Sequence, residues 1–342
     1  MPSDPLSGNP FYLYLLRRMT GTYTRAARDL QKKFEDFNKK WAAQDKQKRA
    51  MKDSGVITED EYQEWVSHQV FTSNLWKEKA ADAARMMTRA NAETAALVQD
   101  GKISAFTAAA NYAAYEVEHR LGIRTSLSLY NRESVSRLLL GNPQLLPEWK
   151  IDEPKDYVWN YRKVENSITQ GIIQGKPIPE ITKGLVEDLQ AQNESKMTMF
   201  ARTGMTGAQN AGRIDAMHRQ QELGIKVRKK WIATNDDRTR DSHADLDGQI
   251  VDVDEPFQTT NRDGSPAYID YPGDPTADPE QTYNCRCTMV YVYPDLEELL
   301  AAEEESIDIE PAPEAREMSY EEWIEANENR ELMQHTSNPF RR

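Results

Sequence analysis

Cysteine is almost missing from these 342 residues: only Cys285 and Cys287 are present, one residue apart. At that spacing they cannot staple distant segments, so a disulfide framework is excluded. No stretch approaches the roughly eighteen apolar residues of a membrane span. The opening Met1-Pro2-Ser3-Asp4-Pro5 also lacks the basic-then-apolar order of a secretory signal. These absences predict a chain made and kept in a cytosol, with no membrane partner. Neither a Gly-rich phosphate loop nor a serine nucleophile elbow is visible, which removes the commonest nucleotide and acyl-transfer chemistries.

Charge is abundant. Charged residues make up 29% of the chain and hydrophobic ones 38%, with a mean hydropathy of -0.80. The length allows two or three compact units, and the composition predicts long solvated helices and a tail around them. The net charge of -13 hides a division. Arg17 to Lys52 carries twelve Lys/Arg against four Asp/Glu, whereas Asp295 to Arg330 carries two Arg against fourteen acids. A basic N-terminal arm attracts phosphate even in an acidic protein, so Arg17, Arg18, Lys32, Lys33, Lys39 and Lys40 are candidate DNA contacts. The competing reading is the solvated face of a long helix.

The periodicities predict an α+β protein: an elongated, mainly helical region over 1–150, a mixed domain with a small β-sheet over 151–294, and an acidic, partly disordered tail over 295–342. After Pro10, Leu16, Tyr23, Leu30 and Phe37 recur every seven residues, with Met19, Phe34 and Trp41 widening the stripe. Asp53-Ser54-Gly55 breaks that helix, and Thr58 with Glu61 forms a capping-box pattern that starts the next one. Asp100-Gly101 reads as a stop, with Ser104 capping a third helix to Leu121. A shorter helix spans about Asn131 to Leu140, and Pro147 to Pro154 suits a hinge. In the second region the spacing predicts helices over about Lys155–Gln174, from Pro179, and from Glu194 to Leu223. Strands follow over Lys226–Ala233, Gln249–Val253 and Thr288–Tyr293, around a long exposed loop, Asn261–Pro279. A last amphipathic helix is expected over Ser319–Met333.

The densest chemistry lies between Trp231 and Cys287. His243, Cys285 and Cys287 offer an imidazole and two thiolates, the donors zinc prefers, with Asp237, Asp241, Asp245 or water as fourth ligand. The alternative is that the two thiols are small buried hydrophobes and His243 hydrogen-bonds in a turn. Asp236-Asp237-Arg238-Thr239-Arg240 fits either a phosphate-binding arginine pair or a turn that caps its own backbone, and Asp247-Gly248 fits a tight turn between strands.

These motifs occur in a fixed order: Arg202-Thr203, then Trp231, then Asp237 and Arg238-Thr239-Arg240, His243, Asp247-Gly248, and finally Cys285-Arg286-Cys287. In that order, over about residues 160–292, the chain resembles the phage Mu F-type minor head protein family, also called phage head morphogenesis proteins. Gly204 departs from the pattern, where an acidic residue commonly follows Arg-Thr. The resemblance implies a minor capsid protein of a tailed phage, found in the virion and in the host cytoplasm during assembly. It implies roles in head assembly and in DNA packaging or ejection, with portal, scaffold or major capsid protein and phage DNA as partners. A structural role is favoured over enzymatic activity. Two alternatives stand beside it: a metal-dependent phosphodiesterase or ADP-ribosyl-transfer-like enzyme, and a DNA-binding protein acting through the basic arm.

Overall fold

Gly55, at φ +75°, ends the first helix, α1 (Pro10–Asp53), by letting Val56 N–H turn back onto the Met51 carbonyl. The expected capping box then opens α2 (Glu59–Thr72): Glu61 N–H donates to Thr58 Oγ1, and Glu61 Oε2 accepts from Thr58 N–H. The computed structural model describes residues 6, 9–72, 74–148, 150–294 and 309–336. In it α3 (Asn74–Leu121) runs through Asp100-Gly101, where the sequence predicts a stop. A mid-helix glycine costs about 1 kcal/mol, and burial of Val98, Ala105 and Phe106 beside it outweighs that. Ser104 does not cap; its hydroxyl donates back to the Asp100 carbonyl. Next come α4 (Arg132–Gly141), capped by Asn131, and α5 (Glu153–Ile173), capped by Asp152.

α6 (Ile178–Glu222) is a single helix where the sequence predicts two. Leu189, Asn193, Met197 and Ala201 form one buried row at four-residue spacing, so no boundary falls near Glu194. The contacts divide the chain into two compact units that interleave along the sequence. One contains Tyr14–Leu97 and Trp149–Met199; the other contains Met1–Leu13, Val98–Glu148 and Phe200–Arg342. The expected segments 1–150, 151–294 and 295–342 follow chain order and cut across both.

Helices joined by short turns make up the first of these units, with no strand among its described residues. Tyr23, Leu30 and Phe37 of the seven-residue stripe are buried, as are Met19 and Phe34. Phe37 and Trp76 rings meet at 4.8 Å between centroids. A closed polar network lies inside: Asn91 donates to Asp156 and Asn193, Asn193 to Asn160, and Asn160 to Thr88 and Asp156. Tyr23 OH donates to Asn91 and Lys196 ion-pairs with Asp156, so these buried groups satisfy one another.

The other unit holds every described strand. β1 (Ile123–Thr125) follows Gly122. β2 (Arg228–Ile232) is the centre of an antiparallel sheet in the order β3-β2-β6, between β3 (Ile250–Asp252) and β6 (Thr288–Val292). The strands near Val251 and Val290 therefore pair with β2 and not with each other. The expected exposed loop contains a strand: β4 (Phe257–Thr260) pairs with β5 (Pro266–Ile269). Tyr271 to Asp274 are also buried there, because Asp274 accepts from the backbone of Asp270 and Thr276. Two short helices, α7 (Asp241–Ala244) and α8 (Pro279–Thr282), flank this hairpin. In the tail, residues 295–308 lie outside the described residues, and 309–336 are ordered. β7 (Ile309–Pro311) pairs with β1; a 3-10 turn (Pro313–Glu317) and α9 (Tyr320–Thr336) follow.

Candidate metal centre

β2 carries Trp231 into a core shared with Ala233, Leu246, Phe257, Ile269 and both cysteines. Immediately after the strand, Asp247 closes the chain on itself, with Oδ1 accepting from Ala233 N–H and Oδ2 from Asn235. Gly248, at φ +83°, completes that turn by donating to the Trp231 carbonyl. Asp236 then accepts from Arg238 N–H and Thr239 Oγ1, which is the self-capping turn. Its carboxylate also takes a two-pronged ion pair from the buried Arg286 guanidinium. That pair holds Asp236 well below the usual carboxylate range.

α7 brings in His243. Its position is fixed from both sides, since the Arg240 guanidinium donates to the Tyr283 carbonyl and Ser242 Oγ donates to Gln281. The Cys285-Arg286-Cys287 turn is held by three threonines. Thr203 accepts from Asn284 N–H, Thr206 donates to the Cys285 carbonyl, and Thr234 donates to the Arg286 carbonyl. His243, Cys285 and Cys287 thereby converge, with one ligand atom of each lying within 4.8 Å of the others. The Nδ1 atom of His243 faces both sulfurs, at 3.7 Å from Cys285 Sγ and 3.5 Å from Cys287 Sγ.

These distances test the zinc reading. With bonds of about 2.3 Å to sulfur and about 2.0–2.1 Å to nitrogen, a tetrahedral ion separates those two ligands by about 3.5 Å. The two nitrogen–sulfur edges match that value, so His243 stands where a shared ion with either thiol would need it. No carboxylate joins them among the described residues, which removes Asp237, Asp241 and Asp245 as fourth ligand in this arrangement and leaves water. All three groups are at most 4% exposed. His243 Nε2, facing away from the sulfurs, is buried with no hydrogen-bond partner among the described residues. Donation from Cys285, together with His243, lowers Cys287 below its ordinary thiol value; the same contact and burial push Cys285 up.

The remaining expected residues take other places. Arg202 lies 5.9 Å from the centre of the Tyr12 ring. Arg238 is 70% exposed at its side chain, 3.6 Å from Asp236. Gly204 has a physical account: a Cβ there would meet Lys102 Cδ at 3.2 Å and Val98 Cγ1 at 3.4 Å. In the basic arm, Arg17, Arg18, Lys32, Lys33 and Lys39 are exposed on α1, while the side chain of Lys40 lies outside the described residues. They do not form one narrow row: Lys33 turns to an ion pair with Asp82 at 3.3 Å. Arg18, Lys32 and Lys39 instead align with Arg25 and Lys46 at seven-residue spacing, a stripe that drifts only about 20° per seven residues. Arg25 and Lys46 were absent from the expected set, although the spacing of seven was legible. Arg286, expected only as part of the cysteine motif, has a role of its own against Asp236. Thr206 and Thr234 lie outside the expected set as well. Their signal is weaker, because nothing in the sequence says which hydroxyl faces a turn.

Residues 162–290 match the family model described as Phage Mu protein F like protein. The chain is 32% identical over 162 residues to a NAD(+)--arginine ADP-ribosyltransferase, EFV, of Enterococcus faecalis, covering 47% of this chain and 31% of that protein. It is 28% identical over 181 residues to the minor head protein GP7 of Bacillus phage SPP1, covering 52% of this chain and 56% of that protein. The chain therefore spans from just under a third to a little over half of these relatives' length. No solved structure matches it.

Proposed function

We propose that this chain is a minor head protein of a tailed phage that joins the procapsid and remains in the virion. The observation that carries the reading is the Mu F-like segment, shared in part with a protein named as a minor head protein. The metal centre supports a structural role: its ligands are at most 4% exposed, which gives a substrate no approach, and the polar residues around it bind turns. In this reading zinc, when bound, supplies cross-linking, and His243, Cys285 and Cys287 hold it. Portal, scaffold or major capsid protein are the proposed partners, and DNA packaging or ejection the proposed stage. The basic stripe of α1 offers phosphate contacts for phage DNA.

An ADP-ribosyl-transfer reading rests on the name of the Enterococcus relative. The alignment covers 31% of that protein, so the shared part is less than a third of it. A phosphodiesterase needs a metal position that substrate reaches, which the burial of the cluster opposes. The deciding experiment is quantitative mass spectrometry of purified procapsids and virions. The expected result is a fixed low copy number in both particles; protein found free in infected cells and absent from both would overturn the proposal.

A further inference from the structure

The described C-terminal residues behave as a ligand to the rest of their unit. β7 adds a strand to β1, with Ile123 opposite Pro311, Arg124 opposite Glu310 and Thr125 opposite Ile309. Ala312 N–H donates to the Gly122 carbonyl, Arg316 to the Leu121 carbonyl, and Tyr115 OH to the Met318 carbonyl. The anchor is Trp323, 1% exposed, in a cluster with Ala114, Val117, Leu121, Ile123, Leu127 and Ile225. Its Nε1–H donates at 2.6 Å to Oε2 of Glu118, itself 2% exposed, whose Oε1 accepts from Thr125 N–H and Oγ1. A buried carboxylate facing an indole N–H selects tryptophan over phenylalanine, which would leave that oxygen without its donor.

This is peptide recognition by strand addition and an aromatic anchor, with a receptor drawn mostly from one short stretch, residues 114–127. The ligand carries its own start signal, a capping box in which Ser319 and Glu322 satisfy each other's backbone. Fourteen residues, 295–308, separate it from the preceding described residues, which end at Pro294. A connection of that length reaches at most about 50 Å, enough for a neighbouring molecule. We propose that residues 309–336 are an exchangeable clip: the groove between α3 and β1 takes this segment from a second copy of the chain as readily as from its own. In a head protein present in several copies, exchange links one copy to the next at no cost in new surface.

The register supplies the test on full-length protein. Arg124 and Glu310 face each other across the antiparallel pair, where Cβ atoms stand about 4.5–5.5 Å apart. Chains carrying Arg124→Cys are mixed with chains carrying Glu310→Cys and oxidised mildly, beside each variant alone and a chain carrying both. Exchange predicts a covalent heterodimer in the mixture at least tenfold above either variant alone, abolished when Trp323→Ala is added to the Glu310→Cys chain. Cross-linking only within the doubly substituted chain would show a clip confined to its own molecule and overturn the proposal. No cross-link in any sample would remove the strand pairing on which it rests. A heterodimer that survives Trp323→Ala would likewise refute the groove as its cause.

Discussion

Removal of metal from the His243, Cys285 and Cys287 cluster should loosen the unit that contains it. The tie joins residues 42 apart in sequence, and closing a loop of that length is worth about 4 kcal/mol in the chain-entropy model. That is an upper bound here, because Arg240 with Tyr283 and Ser242 with Gln281 already tie the same two segments. Binding linkage gives a second figure: at free zinc one hundred times Kd, the folded state gains about 2.7 kcal/mol. About 3 kcal/mol satisfies both, and at roughly 2–4 °C per kcal/mol for a unit of about 150–250 residues, chelation should lower Tm by about 6–12 °C. The assay is metal content by mass spectrometry alongside thermal melts at buffered free zinc. One equivalent of zinc is expected, and Cys285→Ser should remove both the zinc and the chelator effect. Metal-free protein indifferent to chelator, yet destabilised by Cys285→Ala, would refute the reasoning and leave the cysteines as packing groups.

Two further tests separate geometry from composition. Gly207→Ala and Gly184→Ala are the same change in α6, each gaining about 1 kcal/mol of helix propensity. A Cβ at Gly184 meets nothing within 4 Å, whereas at Gly207 it would meet the Gly273 carbonyl oxygen at 2.6 Å. Backbone cannot give as a side chain can, so Gly207→Ala should destabilise by about 1–2 kcal/mol net while Gly184→Ala stabilises; amide exchange in each unit reads both, and equal signs would discredit the close approach. For the basic stripe, changing Arg18, Arg25, Lys32 and Lys46 to Gln should reduce the log–log salt slope of DNA binding by about 3 to 4. An unchanged slope would leave the stripe as a solvated helix face.

The sequence was most legible where one strong local signal stood alone. The glycine stop at Gly55 and the Thr58 capping box appear as expected, and so does most of the seven-residue stripe of α1, with Leu16 and Trp41 only half-buried at its ends, because each depends on residues within a turn or two. It was least legible where tertiary contact overrode local preference. Gly101 stays helical inside α3, and no break falls near Glu194, since buried rows continue through both places. β1 and β7 are three residues each, too short to show a period, and they exist by pairing across 186 positions. The Asn261–Pro279 stretch has turn composition throughout, yet Asp274 and the Gly207–Gly273 contact fold Tyr271 to Asp274 into the interior.

The motif residues illustrate a different limit. Asp247, Arg240 and Thr203 are recognisable as members of the motif, and Asp236 as part of a charged turn, and their types suit catalysis as well as structure. In place, Asp247 secures the chain after β2, Asp236 and Arg286 neutralise each other, Arg240 holds the Tyr283 carbonyl, and Thr203 holds Asn284. Each spends hydrogen bonds on the backbone or on a neighbouring side chain, Asn235 for Asp247 and Arg286 for Asp236. A catalytic carboxylate or guanidinium needs an unsatisfied face turned toward a substrate, and these four face the two segments that present His243 and the cysteines. In this structure the set holds in place the two segments that present His243 and the cysteines, beside the three-stranded sheet β3-β2-β6.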